Sequence, residues 1–127
     1  MRDGKHVILL VDDDADFLDS VKIVLDSADY EVETADSAER GLEKFRETQP
    51  DLVIVDLMME EVDAGIGFVR ELRISGDKVP VYMLSSVGEQ LHMSVDHSEL
   101  GLAGVFQKPV DPGNLLRTIE SRLAKED

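Results

Sequence analysis

The stretch VILLVDDDADF, residues 7–17, sets an unbroken apolar run, Val7 to Val11, against three consecutive aspartates, Asp12, Asp13 and Asp14. An apolar run of this length reads as a strand buried in the middle of a sheet. Carboxylates at the end of such a strand resist desolvation and repel one another, so their placement calls for a chemical reason. The rest of the chain supplies both the fold around that strand and the candidates for that reason.

Working outward, the same pattern recurs. Short apolar runs appear at HVILLV (6–11), YEVETA (30–35), LVIVD (52–56), VPVYML (79–84) and GVFQ (104–107), each followed by a segment of helical period. Five strands are expected. Phe17, Val21, Val24, Leu25 and Ala28 mark one face of a first helix, with Asp14 as its cap. Ala38, Leu42 and Phe45 mark a second helix capped by Ser37, and Phe68, Val69 and Leu72 mark a third. Asp111 as N-cap and Pro112 in the first helical position announce the last helix, carried on by Leu115, Leu116, Ile119 and Leu123. Residues 87–102 allow one more helix through Leu91, Val95 and Leu102, with ends blurred by Gly88 and Gly101. Strict β-α alternation with continuously apolar strands implies a doubly wound α/β fold, a five-stranded parallel sheet with helices on both faces.

The 127 residues suit one domain spanning 1–127, with no internal repeat, low-complexity tract or linker. Hydrophobic residues make up 43% and charged residues 32%, a composition that fits a soluble globular chain. No apolar run reaches the roughly 20 residues needed to cross a bilayer, and the first residues lack the apolar core of a signal peptide. A cytoplasmic protein without membrane contact is expected. The chain has no cysteine, so any metal must be held by oxygen or imidazole. A formal net charge of -15 would repel a phosphate backbone, which argues against direct nucleic-acid binding. Most of the 28 Asp and Glu residues read as a solvated surface. Those at strand ends do not.

In a doubly wound sheet, ligands bind outside the carboxyl ends of the strands, near the point where strand order reverses. The first strand ends in Asp12 and Asp13, the third in Asp56, the fourth in Ser85, and the fifth in Lys108 followed by Pro109. Only the second ends without a candidate. In the order 2-1-3-4-5 the four candidate-bearing strands are neighbours and their polar ends meet in one cleft. Taken singly, each residue has a plainer reading: aspartates cap helices, serines end strands and lysines are solvated. Their joint placement favours a site. Three clustered carboxylates imply a divalent cation, and without sulfur or a suitably placed histidine Mg²⁺ fits best, its shell completed by a substrate phosphate. Lys108 can pair with a phosphoryl oxygen, Ser85 can donate a hydrogen bond to another, and Asp56, between the acids and the lysine, is the best nucleophile. The expected product is an aspartyl phosphate.

The segments LLVDDD (9–14), PDLVIVDLMM (50–59), PVYMLSS (80–86) and VFQKPVD (105–111) resemble, in order and separation, the receiver domain of bacterial two-component response regulators, of the chemotaxis-response-regulator kind. The resemblance covers nearly the whole chain. It implies a flavodoxin-like strand order, 2-1-3-4-5, and a phosphoryl group accepted by Asp56 from a sensor histidine kinase or histidine phosphotransfer protein. It further implies Mg²⁺ held directly by Asp13, Asp56 and the backbone carbonyl of Met58, with Asp12 acting mainly through water. Ser85 stands at the family's Thr/Ser position, Lys108 at its lysine, and the bond to Pro109 is expected to be cis. Phosphorylation would shift a surface made of the 87–102 helix, the fifth strand and the last helix, which would meet a downstream protein target or a second copy of the chain. That makes the protein a signalling switch that assists its own phosphorylation and dephosphorylation rather than an enzyme.

Several positions depart from the family pattern. The loop EEVDAGIG (60–67) has Glu60 at the usual proline position and one extra residue near Ala64, which reads as loop variation, with altered phosphodonor access through Glu60 and Glu61 as the sharper reading. Where the family often carries an aromatic switch, this chain has Val105, and the neighbouring Phe106 is expected in the core. Met58 and Val87, both apolar, are expected to shield the acyl phosphate and lengthen its lifetime. His92 and His97 read as surface residues. Two other classes compete: a Mg²⁺-dependent phosphohydrolase of haloacid-dehalogenase type using Asp12, and a flavin-binding module. The first would leave Asp56 without a role, and the second lacks a phosphate-cradling loop after the first strand.

Overall fold

A central strand that is apolar at every position has to be covered on both sides, and the computed structural model, which describes residues 2–57, 59, 64–86 and 101–126, shows how this is done. The strands are β1 Val7–Val11, β2 Glu31–Ala35, β3 Leu52–Asp56, β4 Val81–Ser85 and β5 Gly104–Gln107. The helices among the described residues are α1 Ala15–Ser27, α2 Ala38–Thr48, α3 Ala64–Ile74 and α4 Pro112–Glu126. The helix expected over 87–102 falls outside the described residues for all but its last two positions.

All five strands pair in parallel in the order β2-β1-β3-β4-β5. Val11 lies opposite Ala35 on one side and Val55 on the other, Asp56 opposite Leu84, and Ser85 opposite Gln107. The carboxyl ends of the strands are therefore level, and β1 and β3 are adjacent at the centre.

Alternation along the strands divides the core in two. Ile8, Leu10, Ile54, Leu84 and Phe106 pack with Leu18, Val21 and Leu25 of α1 and with Leu115, Ile119 and Leu123 of α4. Leu9, Val11, Val53, Val55 and Met83 face the other way and pack with Phe68, Val69 and Leu72 of α3, edged by Leu42 and Phe45 of α2. Each such side chain contributes about 1.5–3 kcal/mol on burial.

The caps fall where the sequence puts them. The Asp14 carboxylate accepts from Asp16 N and Phe17 N, Ser37 Oγ from Arg40 N at 3.2 Å, and Asp111 Oδ2 from Asn114 N at 2.8 Å. Two details differ. In α1 the buried stripe is Leu18, Val21 and Leu25, while Ala28, expected on that stripe, is the exposed C-cap with ψ turned to 15°. With Asp14 fixing the start of the helix, position 18 comes round to the sheet and position 28 falls beyond the last turn. β4 begins at Val81 rather than Val79, because the Val79 N–H is taken by Asp77 Oδ1 at 2.8 Å and Pro80 has no N–H to offer the ladder. No helix among the described residues is long and apolar enough to cross a membrane.

Candidate functional site

The sheet carries three polar residues into its buried level at the carboxyl ends: Asp12, 0% exposed, Asp56, 4%, and Ser85, 1%. The reason lies in register. Asp12 continues the ladder one residue past β1, its N–H donating to Ala35 O at 3.0 Å. By strand alternation it shares the face of Ile8 and Leu10, Asp56 that of Leu52 and Ile54, and Lys108 that of Phe106. All three side chains therefore belong to the face covered by α1 and α4.

Lys108 joins the two buried acids. Its Nζ donates to Asp12 Oδ2 at 2.8 Å and lies 3.4 Å from Asp56 Oδ2. Burial pulls the lysine pKa down, but the hydrogen bond and charge of Asp12, followed by the charge of Asp56, outweigh it and leave the ammonium above its ordinary range. The other oxygen of Asp12, Oδ1, accepts from Asp14 N at 3.0 Å. The Lys108 ammonium also sits 4.6 Å above the centre of the Phe17 ring, a cation–π contact. The backbone holds the lysine in place as well, since Lys108 N donates to Ser85 O at 2.8 Å. The Lys108–Pro109 bond is cis, as the family resemblance implies.

Asp12, Asp13 and Asp56 each offer one carboxylate oxygen, and these atoms lie within 4.8 Å of one another. Asp13 is exposed and the other two are buried, so the cluster opens to solvent on one side. Lys108 is shared between Asp12 and Asp56, and an all-oxygen donor set of this kind fits a hard divalent cation.

Of the residues expected in the site, Asp12, Asp13, Asp56 and Lys108 come together. Ser85 enters through its carbonyl, and alternation gives its side chain the parity of Val81 and Met83, opposite to that of the acids. Met58, Val87, Glu60, Glu61, His92 and His97 lie outside the described residues. Phe106 is buried in the core, as expected, its ring 5.1 Å from that of Tyr82, while Val105 is 49% exposed. Phe17, expected on the core stripe of α1, packs against that core and also lies under Lys108, a contact that its periodicity does not announce. Its place in the first turn after the Asp14 cap was the available signal, but nothing local says that a lysine 91 positions later arrives above the ring. The phosphohydrolase alternative needs Asp12 as a nucleophile, and here both of its oxygens are engaged inside the fold.

The model of the response regulator receiver domain family matches residues 8–120. The "Probable transcriptional regulator ycf27" of Pyropia yezoensis is 37% identical over 127 residues, a match that takes in all of this chain and 51% of that protein. The chain thus spans about half the length of that relative. A CheY-like response regulator receiver domain protein from Methanospirillum hungatei JF-1 superposes with a TM-score of 0.87 at 30% identity, covering 96% of each chain. Chemotaxis response regulator CheY4 of Vibrio cholerae gives 0.81 at 29% identity, covering 93% of this chain and 98% of its own. The haloacid-dehalogenase alternative finds no support in these matches.

Proposed function

We propose that this chain, a member of the response regulator receiver domain family, is a phosphorylation-activated switch of two-component signalling in which Asp56 takes the phosphoryl group. The observation that carries the reading is the position of Asp56, on the central strand with a carboxylate oxygen within 4.8 Å of those of Asp12 and Asp13 and with Lys108 Nζ, which bridges it to Asp12, 3.4 Å away. An oxygen of Asp56 attacks phosphorus, the bond from phosphorus to the donor's histidine nitrogen breaks, and an acyl phosphate remains on the protein. Lys108 would turn from the carboxylates to a phosphoryl oxygen, and the Ser85 hydroxyl, which alternation sets on the other face in this structure, would donate to another only once the end of β4 turns toward the phosphoryl group. Asp12, Asp13 and Asp56, with the Met58 carbonyl that the resemblance implies, would hold Mg²⁺. When bound, that ion supplies positive charge against the phosphoryl oxygens as phosphorus changes partners.

The donor in this reading is a sensor histidine kinase or a histidine phosphotransfer protein. Phosphorylation draws Ser85 toward the new oxygens and biases a two-state surface that includes β5 and α4, which a downstream protein or a second copy of the chain reads. The chain acts as one cytoplasmic receiver unit over 1–127, a signalling domain that assists its own phosphorylation and dephosphorylation and has no other catalytic role. To test the assignment, the protein is incubated with Mg²⁺ and a small acyl phosphate and the added mass is located by peptide mapping. One phosphoryl group on Asp56 is expected; a group on Asp12, or no uptake, rejects it.

A further inference from the structure

Two glycines occupy the first turn of α3, and they meet opposite surroundings. A Cβ at Gly67 would find nothing within 4 Å. A Cβ at Gly65 would run into the carbonyl oxygen of Asp56, and would also lie 2.9 Å from Asp56 C and 2.9 Å from Leu57 Cα. These are main-chain atoms that cannot rotate aside. The Gly65 N–H donates to Leu57 O at 2.9 Å, so one of the amides left over at the start of α3 is satisfied by the residue that follows Asp56. From the other side, Leu57 N donates to Leu84 O at 2.9 Å. The end of β3 is held between β4 and the bare Cα of Gly65.

We propose that Gly65 is a positioning residue for Asp56: its missing side chain lets α3 seat directly on the main chain that carries the phosphoacceptor. The inference rests on the reading of Asp56 given above. Glycine is a poorer helix former than alanine, so local propensity argues against it at 65, and the close approach to Asp56 supplies the reason for its presence. Adding a methyl group forces the helix and the strand end apart by roughly an ångström, and misplacement on that scale lowers a rate by about 10²-fold. The Asp56 carboxylate would lose its register with Lys108 and with the other two acids.

The test compares the full chain with Gly65→Ala, Gly67→Ala and Leu25→Ala, the last removing a buried side chain at the far end of α1. Melting is followed by circular dichroism, Mg²⁺ affinity by calorimetry, and phosphorylation by an acyl phosphate through intact mass, all at a temperature where each protein is folded. Gly65→Ala is expected to weaken Mg²⁺ binding and to slow phosphorylation by about 10- to 100-fold. Gly67→Ala should stay within about twofold on both counts, and Leu25→Ala should melt lower with an unchanged rate. A Gly65→Ala protein that binds Mg²⁺ and gains phosphate like the wild type overturns the proposal, as does a Leu25→Ala protein that loses rate to the same extent. Should Gly65→Ala not fold, the wild type decides: the Gly65 amide resonance should move with Mg²⁺ along the calorimetric binding curve, and a stationary resonance overturns the proposal. A wild type labelled elsewhere than Asp56 defeats the phosphoacceptor reading first, and the role of Gly65 falls with it.

Discussion

Two basic side chains in this molecule each reach a pair of carboxylates, one at the edge of the sheet and one at its centre. Arg2 Nη2 lies 2.5 Å from Glu33 and 3.9 Å from Glu31 on β2, while Lys108 Nζ lies 2.8 Å from Asp12 and 3.4 Å from Asp56. The side chains of Glu31 and Glu33 are 39% and 22% exposed, whereas those of Asp12 and Asp56 are 0% and 6%. Water already solvates the edge charges, so the clamp there gains little and serves to tie the Arg2–Lys5 bridge against an edge strand. At the centre Asp12 and Asp56 are withdrawn from water and costly to keep charged, and Lys108 is shared between them. The same chemical grouping is ornament to stability in one place and a binding site in the other, and burial makes the difference.

Four measurements would break or sharpen that contrast. Asp56→Asn should abolish phosphoryl uptake from an acyl phosphate, read by intact mass, while Arg2→Ala takes up phosphate like the wild type; any label on the asparagine protein breaks the contrast outright. Asp12→Asn should raise the Mg²⁺ dissociation constant by about 10- to 100-fold in calorimetry, the range found when a group supporting a metal is lost. Lys108→Met, in Mg²⁺-free buffer, should lose about 2 kcal/mol in a denaturant melt, less than the roughly 3–5 kcal/mol of stranding a fully buried charge because part of the lysine is solvated, and Mg²⁺ should restore much of it. The sign with pH follows from the raised lysine pKa: the contribution is complete below the ordinary lysine range and fades only as pH rises through the elevated value.

The smallest effect is expected at the edge. Arg2→Ala should destabilise barely, if measurably, at neutral pH. The hydrogen bond from Arg2, against an opposing effect of burial, holds the Glu33 carboxyl below its usual range. Its contribution is therefore present above the ordinary glutamate pKa and is lost as pH falls through the lowered one. Any gap between wild type and variant should close in acid, and a gap that widens there would mean that Glu33 does not mediate it.

Much of this was legible along the chain. The strands stood out because both faces of the sheet are covered, so Val7 to Val11 and Leu52 to Val55 carry no polar interruption. Asp12, Asp56 and Lys108 each have a plain structural reading alone, and stood out because they fall together at the carboxyl ends of strands that the expected order makes neighbours. The β4 start was misplaced by two residues because the competition between Asp77 and the ladder for the Val79 amide depends on how the chain turns before the strand. Ser85 read as one more site side chain, yet alternation sets it on the other face from the acids.

The sequence by itself determined the alternation of strands and helices, the caps at Asp14, Ser37 and Asp111, and the identity of the acids and the lysine, since each of these is written in neighbouring residues through periodicity and local hydrogen bonding. Only the tertiary structure decided that Asp12 gives both oxygens to the fold, that Phe17 lies beneath Lys108, and that Gly65 must be bare where it meets the Asp56 carbonyl. Those are approaches between segments distant in the chain, and close packing, which tolerates neither a gap nor a methyl group too many, settles them only when all the elements are in place.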